Sequence, residues 1–265
     1  MPRTRRRKIV IHTVQVLLLA AFLGLWQLLA QTKAIDVFFF GEPSGVWTQL
    51  DTWIHSGTSQ GSLWAQVWVT TQETLLGFGI GVVLGVVFGI LLGRVQVLAD
   101  LLSVYIGAFN SIPRIVLGSV FVIWFGLGIS SKVALAVVLV FFNVFFNAFQ
   151  GAREVDQGLV ANARQLGAGR AAVLFQVIVP SAFSWIIASL RVAFGFAVTG
   201  AVVGEFLGAQ QGLGTLIAQA QGNFNPDGVY AGLVVTTVLA LGAEGSISVL
   251  ERRLLRWRPP RPRAA

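Results

Sequence analysis

Cysteine is absent from the 265 residues, which rules out disulfides, thiolate metal sites and a cysteine nucleophile. Histidine is almost as scarce: His12 and His55 stand apart, outside any metal-ligand spacing, so zinc chemistry is not expected and no metal site is assigned. Charge is thin as well. Asp, Glu, Lys and Arg make up 11% of the chain, where soluble domains carry roughly 25%. Lysine occurs only at Lys8, Lys33 and Lys132, and none follows a glycine. A phosphate-binding loop needs Gly-Lys followed by Ser or Thr, because the lysine must reach the phosphates from a glycine-rich cradle. The chain lacks that route to ATP, and no catalytic carboxylate pair is legible in a water-facing pocket. It reads as a non-enzyme with no cofactor of its own.

Apolar residues are what the chain has in quantity, at 55% with a mean hydropathy of +0.76. The expected fold is all-α, a polytopic membrane protein with about six transmembrane helices in a single membrane domain spanning residues 1–265. The net charge of +8 is concentrated at the two ends and in alternate loops. That distribution follows the positive-inside bias and argues against a nucleic-acid partner. It places the protein in the cell membrane as a multi-pass chain, with both termini cytoplasmic and lipid as its solvent.

Residues 1–8 hold Arg3, Arg5, Arg6, Arg7 and Lys8, ahead of an apolar run over residues 9–30. A spanning helix needs roughly 20 apolar residues, and the run is too long for the core of a signal peptide. Residues 31–63 read as an external segment, with part lying on the membrane as an amphipathic helix. The second span, residues 67–93, repeats glycine every four residues at Gly81, Gly85, Gly89 and Gly93. Such a stripe lets another helix approach closely. The third, residues 101–125, contains Asn110, Ser111, Pro113 and Arg114, and Pro113 breaks or kinks it. Residues 126–132 read as a short external turn. The fourth, residues 133–149, sets Asn143 and Asn147 one turn apart, as interhelical hydrogen bonds or as pore lining. The fifth, residues 181–207, carries Arg191 and Glu205, separated by about 21 Å along a straight helix. Arg191 falls near mid-membrane and needs a partner or a wet cavity. A further external stretch follows Gly208, then the sixth span at residues 229–249 and a basic tail over residues 251–265.

The most informative stretch lies between the fourth and fifth spans, at about residues 151–180. Leu159, Ala163 and Leu166 recur at helical spacing, and Gly167 suits a left-handed helix end. Val173, Leu174, Val177 and Ile178 resume the period, and Pro180 is expected to close it. Helix, glycine turn, helix and proline in a loop on the positive side describe a docking element.

The stretch resembles the cytoplasmic loop of membrane subunits in binding-protein-dependent ABC importers. That signature reads Glu-Ala-Ala, three residues, Gly, nine residues, then Ile-x-Leu-Pro. Ala161-Asn162-Ala163, Gly167 and Val177-Ile178-Val179-Pro180 hold those positions with the spacing intact, the departure being Ala161 in place of glutamate. Gly204-Glu205-Phe206-Leu207-Gly208-Ala209 with Gly212-Leu213-Gly214, Trp124-Phe125-Gly126-Leu127-Gly128, and Leu76-Gly77-Phe78-Gly79 are similar to the nitrate, sulfonate and taurine branch, which also includes pyrimidine-precursor importers. The resemblance implies a type I importer permease fold and a path for a small solute, an anion or a pyrimidine precursor. It implies a separate cytoplasmic ATPase that binds the ATP, an extracytoplasmic solute-binding protein, and a second copy of the chain. Ala163, Arg164, Leu166, Gly167, Ala168, Arg170 and Pro180 are then the docking-loop candidates. Asn110, Arg114, Asn143, Asn147, Arg191 and Glu205 are the translocation-path candidates.

Two other classes compete. An ion-gradient-driven secondary transporter would show duplicated halves with paired broken helices, and no internal repeat is present. A non-transporting scaffold would leave Arg191 and the broken third span without a use. The purified chain alone in vesicles is expected to take up no solute under an imposed ion gradient. Uptake without an ATPase would favour the secondary transporter.

Overall fold

The computed structural model describes residues 2–254. Among these residues every regular element is helical, apart from an isolated bridge between Thr58 and Gly61. The order is α1 (Pro2–Gln31), α2 (Val37–Phe40), α3 (Pro43–His55), α4 (Leu63–Arg94), α5 (Gln96–Ser111), α6 (Val116–Phe125) and α7 (Ile129–Arg153). Then come α8 (Gln157–Gln165), α9 (Arg170–Val173), a π turn (Leu174–Ile178), α10 (Val179–Gly208), α11 (Leu213–Gly222) and α12 (Pro226–Leu254). The basic tail beyond Leu254 lies outside the described residues.

Five helical stretches are long and apolar enough to cross a membrane: Val10–Gln31, Leu63–Arg94, Ile129–Arg153, Trp185–Gly208 and Pro226–Ser246. The expected third span is instead split into α5 and α6, each too short to cross alone. Pro113 is the cause. A proline drives the residue before it towards extended backbone, and Ile112 has φ −71° and ψ 129°.

Contacts divide the chain into two compact units. The first comprises residues up to 64 together with 216–235. Gln27 ties α1 to the start of α3, donating to Glu42 Oε2 (3.1 Å) while accepting from the Ser44 N–H (2.9 Å). Asp227 accepts from the Glu42 N–H at 2.9 Å. A Cβ at Gly41 or Gly45 would strike that carboxylate, so both glycines are needed for the approach. Trp26 meets Tyr230 edge to face at 5.1 Å. Within residues 31–63, where an amphipathic helix is expected, the chain forms α3, with Trp47 exposed and Trp53 buried.

The second unit comprises residues 65–215 and those from 236 onward. Its core is the packing of α4 and α10 on α7. The glycine stripe of α4 lies directly on α7: a Cβ at Gly81 would sit 2.7 Å from Val140 Cβ, at Gly85 2.8 Å from Val144 Cβ, and at Gly89 2.7 Å from Ala148 Cβ. Gly93 meets Ala152 in the same way. Gly200 of α10 also packs on Ala136, and Gly204 on the backbone of Lys132. Leu135, Ala136, Val140, Val144, Ala148 and Ala152 are buried as a result. Lipid supplies no hydrophobic drive between helices, so dispersion at short range binds them. By contrast α5 exposes Val97, Leu101, Val104 and Tyr105.

Gly89→Val would push a branched side chain into the Phe145 carbonyl as well as Ala148. The expected loss is about 1–3 kcal/mol, typical of overpacking. Gly79 has nothing within 4 Å of a Cβ, so Gly79→Ala should cost nothing and add up to about 1 kcal/mol through helix propensity. Thermal unfolding of both variants in detergent measures the difference.

Candidate functional site

Residues 151–180 form a packed handle between α7 and α10. Asp156 caps α8 by accepting from the Gly158 N–H at 2.7 Å. The helix ends as a glycine-terminated turn, with the Ala168 N–H donating to the Ala163 carbonyl (3.0 Å) and Gly167 at φ +86°. That left-handed conformation is why glycine is needed there. The underside is apolar: Val160, Val173 and Ile178 are buried against Ala152 and Val155, with Ala163, Ala168, Leu174 and Val177 around them. The outer side is different. Leu166 at the apex is 89% exposed, and Leu159 and Phe175 are also open. Arg164 and Arg170 flank the apex, both exposed.

Two details of the expected loop change. Ala163 turns inwards, while Leu159 and Leu166 face out, so the three do not share one role. Pro180 does not close a helix. It lies in the first turn of α10, and the helix runs through it because the π turn just before it widens the register. The Val179 N–H reaches back five residues to the Leu174 carbonyl. A proline ring would otherwise clash with a carbonyl one α-turn earlier.

The polar residues expected along a path have different surroundings. Arg114 lies just before α6 with its guanidinium 5.0 Å from the Phe142 ring centroid, a cation–π arrangement. The Asn147 side chain donates to the Asn143 carbonyl of its own helix at 2.8 Å rather than across to another helix. Asn143 Oδ1 is buried without a partner among the described residues. Arg191 has the partner its position demanded, Glu244 of α12, at 3.8 Å. Asn110 is in the last turn of α5, and its side chain lies outside the described residues.

Glu205 belongs to a buried polar cluster. It accepts from the Thr70 hydroxyl through Oε1 (2.7 Å) and from the Gly214 N–H through Oε2 (2.7 Å). Thr70 also accepts from the Leu213 N–H (3.0 Å), and Gln66 accepts from the Gly212 N–H (2.7 Å). Glu73 is a further buried carboxyl beside Glu205. Lys132, read from sequence as part of an external turn, is fully buried in the first turn of α7. Its ammonium donates to the Leu127 carbonyl (2.6 Å) and the Gly208 carbonyl (2.5 Å). Glu205 therefore has no open face: it is fully buried and occupied by the chain itself.

The family model of the binding-protein-dependent transport system inner membrane component matches residues 81–256, which covers the glycine stripe of α4, α7, the handle and α10. The chain belongs to this family.

The permease is similar to the taurine transport system permease protein of Escherichia coli strain K12, at 30% identity over 92% of this chain and 90% of that one. It is also similar to the riboflavin transport system permease protein of Chloroflexus aurantiacus, at 35% identity over 75% and 74%. The MetNI methionine ABC transporter shares its fold, with a TM-score of 0.62 at 22% identity, covering 73% of this chain and 94% of that one. The permease is thus the membrane subunit of an ABC importer in the taurine and sulfonate branch, set in the inner membrane. Its sequence showed the handle but not the buried cluster. Gln66, Thr70 and Glu73 were visible as polar residues at one end of an apolar run, at spacings of four and three. That spacing was the available signal.

Glu205→Ala would leave the buried Gly214 N–H without its acceptor, while the Thr70 hydroxyl falls back on the Gln66 carbonyl 3.2 Å away. The expected cost is about 1–3 kcal/mol for the buried group left unpaired. Glu205→Gln keeps one acceptor oxygen and should lose less. Thermal unfolding in detergent ranks the two.

Proposed function

We propose that the permease, paired with a second copy of itself, forms the translocation path of an importer driven by a separate ATPase and fed by an extracytoplasmic solute-binding protein. The handle is the part the ATPase grips. Leu166 and Gly167 form the contact, Arg164 and Arg170 flank it as charge partners, and Ala163, Ala168 and Pro180 shape it from beneath. The observation that carries this reading is Leu166: an apolar side chain 89% exposed on a loop between spans, raised on a buried apolar base. An exposed apolar apex on a firm base fits a groove in a partner.

The whole chain acts as one membrane domain, with residues 1–8, the handle at 151–180 and the tail at 251–265 on the cytoplasmic side. The basic residues at both ends support that orientation. ATP drawing two ATPases together would move both handles, and with them α7 and α10. The solute is small, an anion such as nitrate, a sulfonate or taurine, or a pyrimidine precursor. Arg114 is one candidate for facing it, with its guanidinium set against the Phe142 ring of α7. Asn110, Asn143 and Asn147 are further candidates on α5 and α7, and Arg191 lines the path only together with Glu244.

Gly167→Trp cannot take φ +86° without strain and puts bulk at the apex. It should abolish co-purification of the ATPase while leaving membrane insertion intact. Leu166→Glu should weaken the complex at least about ten-fold, the scale of one lost central apolar contact. Pull-down of the ATPase with each variant reads both; full retention by both would remove the docking role.

A further inference from the structure

The buried cluster sits at the end of α10 opposite the handle. α10 has 30 residues, about 45 Å at the ordinary helical rise. It is seated on α7 throughout: Gly151 of α7 meets Ala182 and Trp185 near one end, and Gly200 and Gly204 meet Ala136 and Lys132 near the other. The two helices are therefore one body. Beyond Gly208 the chain leaves the helix, and residues 209–212 have no regular structure of their own. The backbone at both ends of this stretch is held by side chains. Lys132 grips the Gly208 carbonyl, Gln66 the Gly212 N–H, Thr70 the Leu213 N–H, and Glu205 the Gly214 N–H. A Cβ on Gly212 would strike the Glu205 carboxylate, and one on Gly214 the Val202 carbonyl, so the turn is closely fitted.

An apolar side chain of similar volume could fill the position of Lys132 without the desolvation cost of a buried ammonium. What the ammonium adds is direction. It joins the carbonyl ending α10 to the carbonyl of Leu127, just before α7 begins.

We propose that Lys132 and Glu205 are positioning residues for transport: they fasten residues 209–215 to the α7–α10 body, so that a displacement begun at the handle arrives at this turn instead of being lost in it. The proposal rests on the handle being the driven end. A rigid body passes on its movement only to what is fixed to it, and coupling of this kind travels through packed elements whose joints can be tested singly.

The absence of cysteine makes the test direct. Nitroxides on Gln210→Cys and Val104→Cys, both exposed positions in the second unit, report the position of the turn in the permease–ATPase complex in nanodiscs. In the parent chain, ATP with vanadate should shift a narrow distance distribution. Lys132→Met should retain the ATPase and its basal hydrolysis, while the label at 210 becomes mobile and the ATP-driven shift falls at least about five-fold. Lys132→Arg, which keeps the donors, should recover part of the shift. Should Lys132→Met fail to insert, Thr70→Val removes one joint only and should reduce the shift in the same direction. An unchanged narrow distribution and full shift in Lys132→Met, or in Thr70→Val, would overturn the proposal, as would a parent turn that does not respond to ATP. Loss of the ATPase from the Lys132→Met complex would also overturn it. Gly167→Trp retaining the ATPase would instead overturn the reading of the handle.

Discussion

Close backbone approach among α4, α7 and α10 is the constraint on which the rest depends. In lipid, one apolar helix gains nothing by hiding its side chains against another, so binding comes from contact at short range and from the few polar bonds that form. The glycine stripe of α4 and the pair Gly200 and Gly204 of α10 supply that contact to α7, where Val140 and Val144 pack against both helices. Once α7 is clasped in this way, both its ends become firm supports. One end carries the apolar base under the handle through Ala152. The other carries Lys132 and, through it, the turn after α10.

The two ends differ in chemistry. The handle is held from below by apolar side chains, and its apex at Leu166 is exposed. The far turn is held by hydrogen bonds to its own backbone, and every one has a direction. Apolar packing tolerates small shifts and bonded backbone does not, so α10 has a softer grip at one end and a harder one at the other. Arg191 and Glu244 lie between, each about half exposed. They satisfy one another within the span without being sealed in.

Much of the fold was legible because it depends on short-range patterns. Glycine every four residues, one proline inside an apolar run, and a glycine with a helical period on both sides each have a local physical meaning. They yielded the stripe, the break between α5 and α6, and the handle. The buried cluster was illegible for the opposite reason. Lys132 sits in Gly-Leu-Gly-Ile-Ser-Ser-Lys, which reads as a turn, and its acceptor at Gly208 lies 76 positions away. No local pattern reports such a pair. Pro180 misled in another way: its effect on helical bonding is real, but the turn before it absorbs that effect. Asn143 and Asn147 showed the right face and spacing, yet the bond that forms stays within α7.

The π turn at Leu174–Ile178 has a consequence for how the handle is aimed. A wide turn accommodates one residue more than an α turn, and each residue rotates a helix by about 100°. Everything before the turn is therefore swivelled about the axis of α10 relative to where an unbroken helix would have put it. The compass bearing of the handle is set by one residue's worth of slack, independently of which side of α10 faces its neighbours in the bilayer. Removing that residue would leave both helices intact and point the apex in another direction.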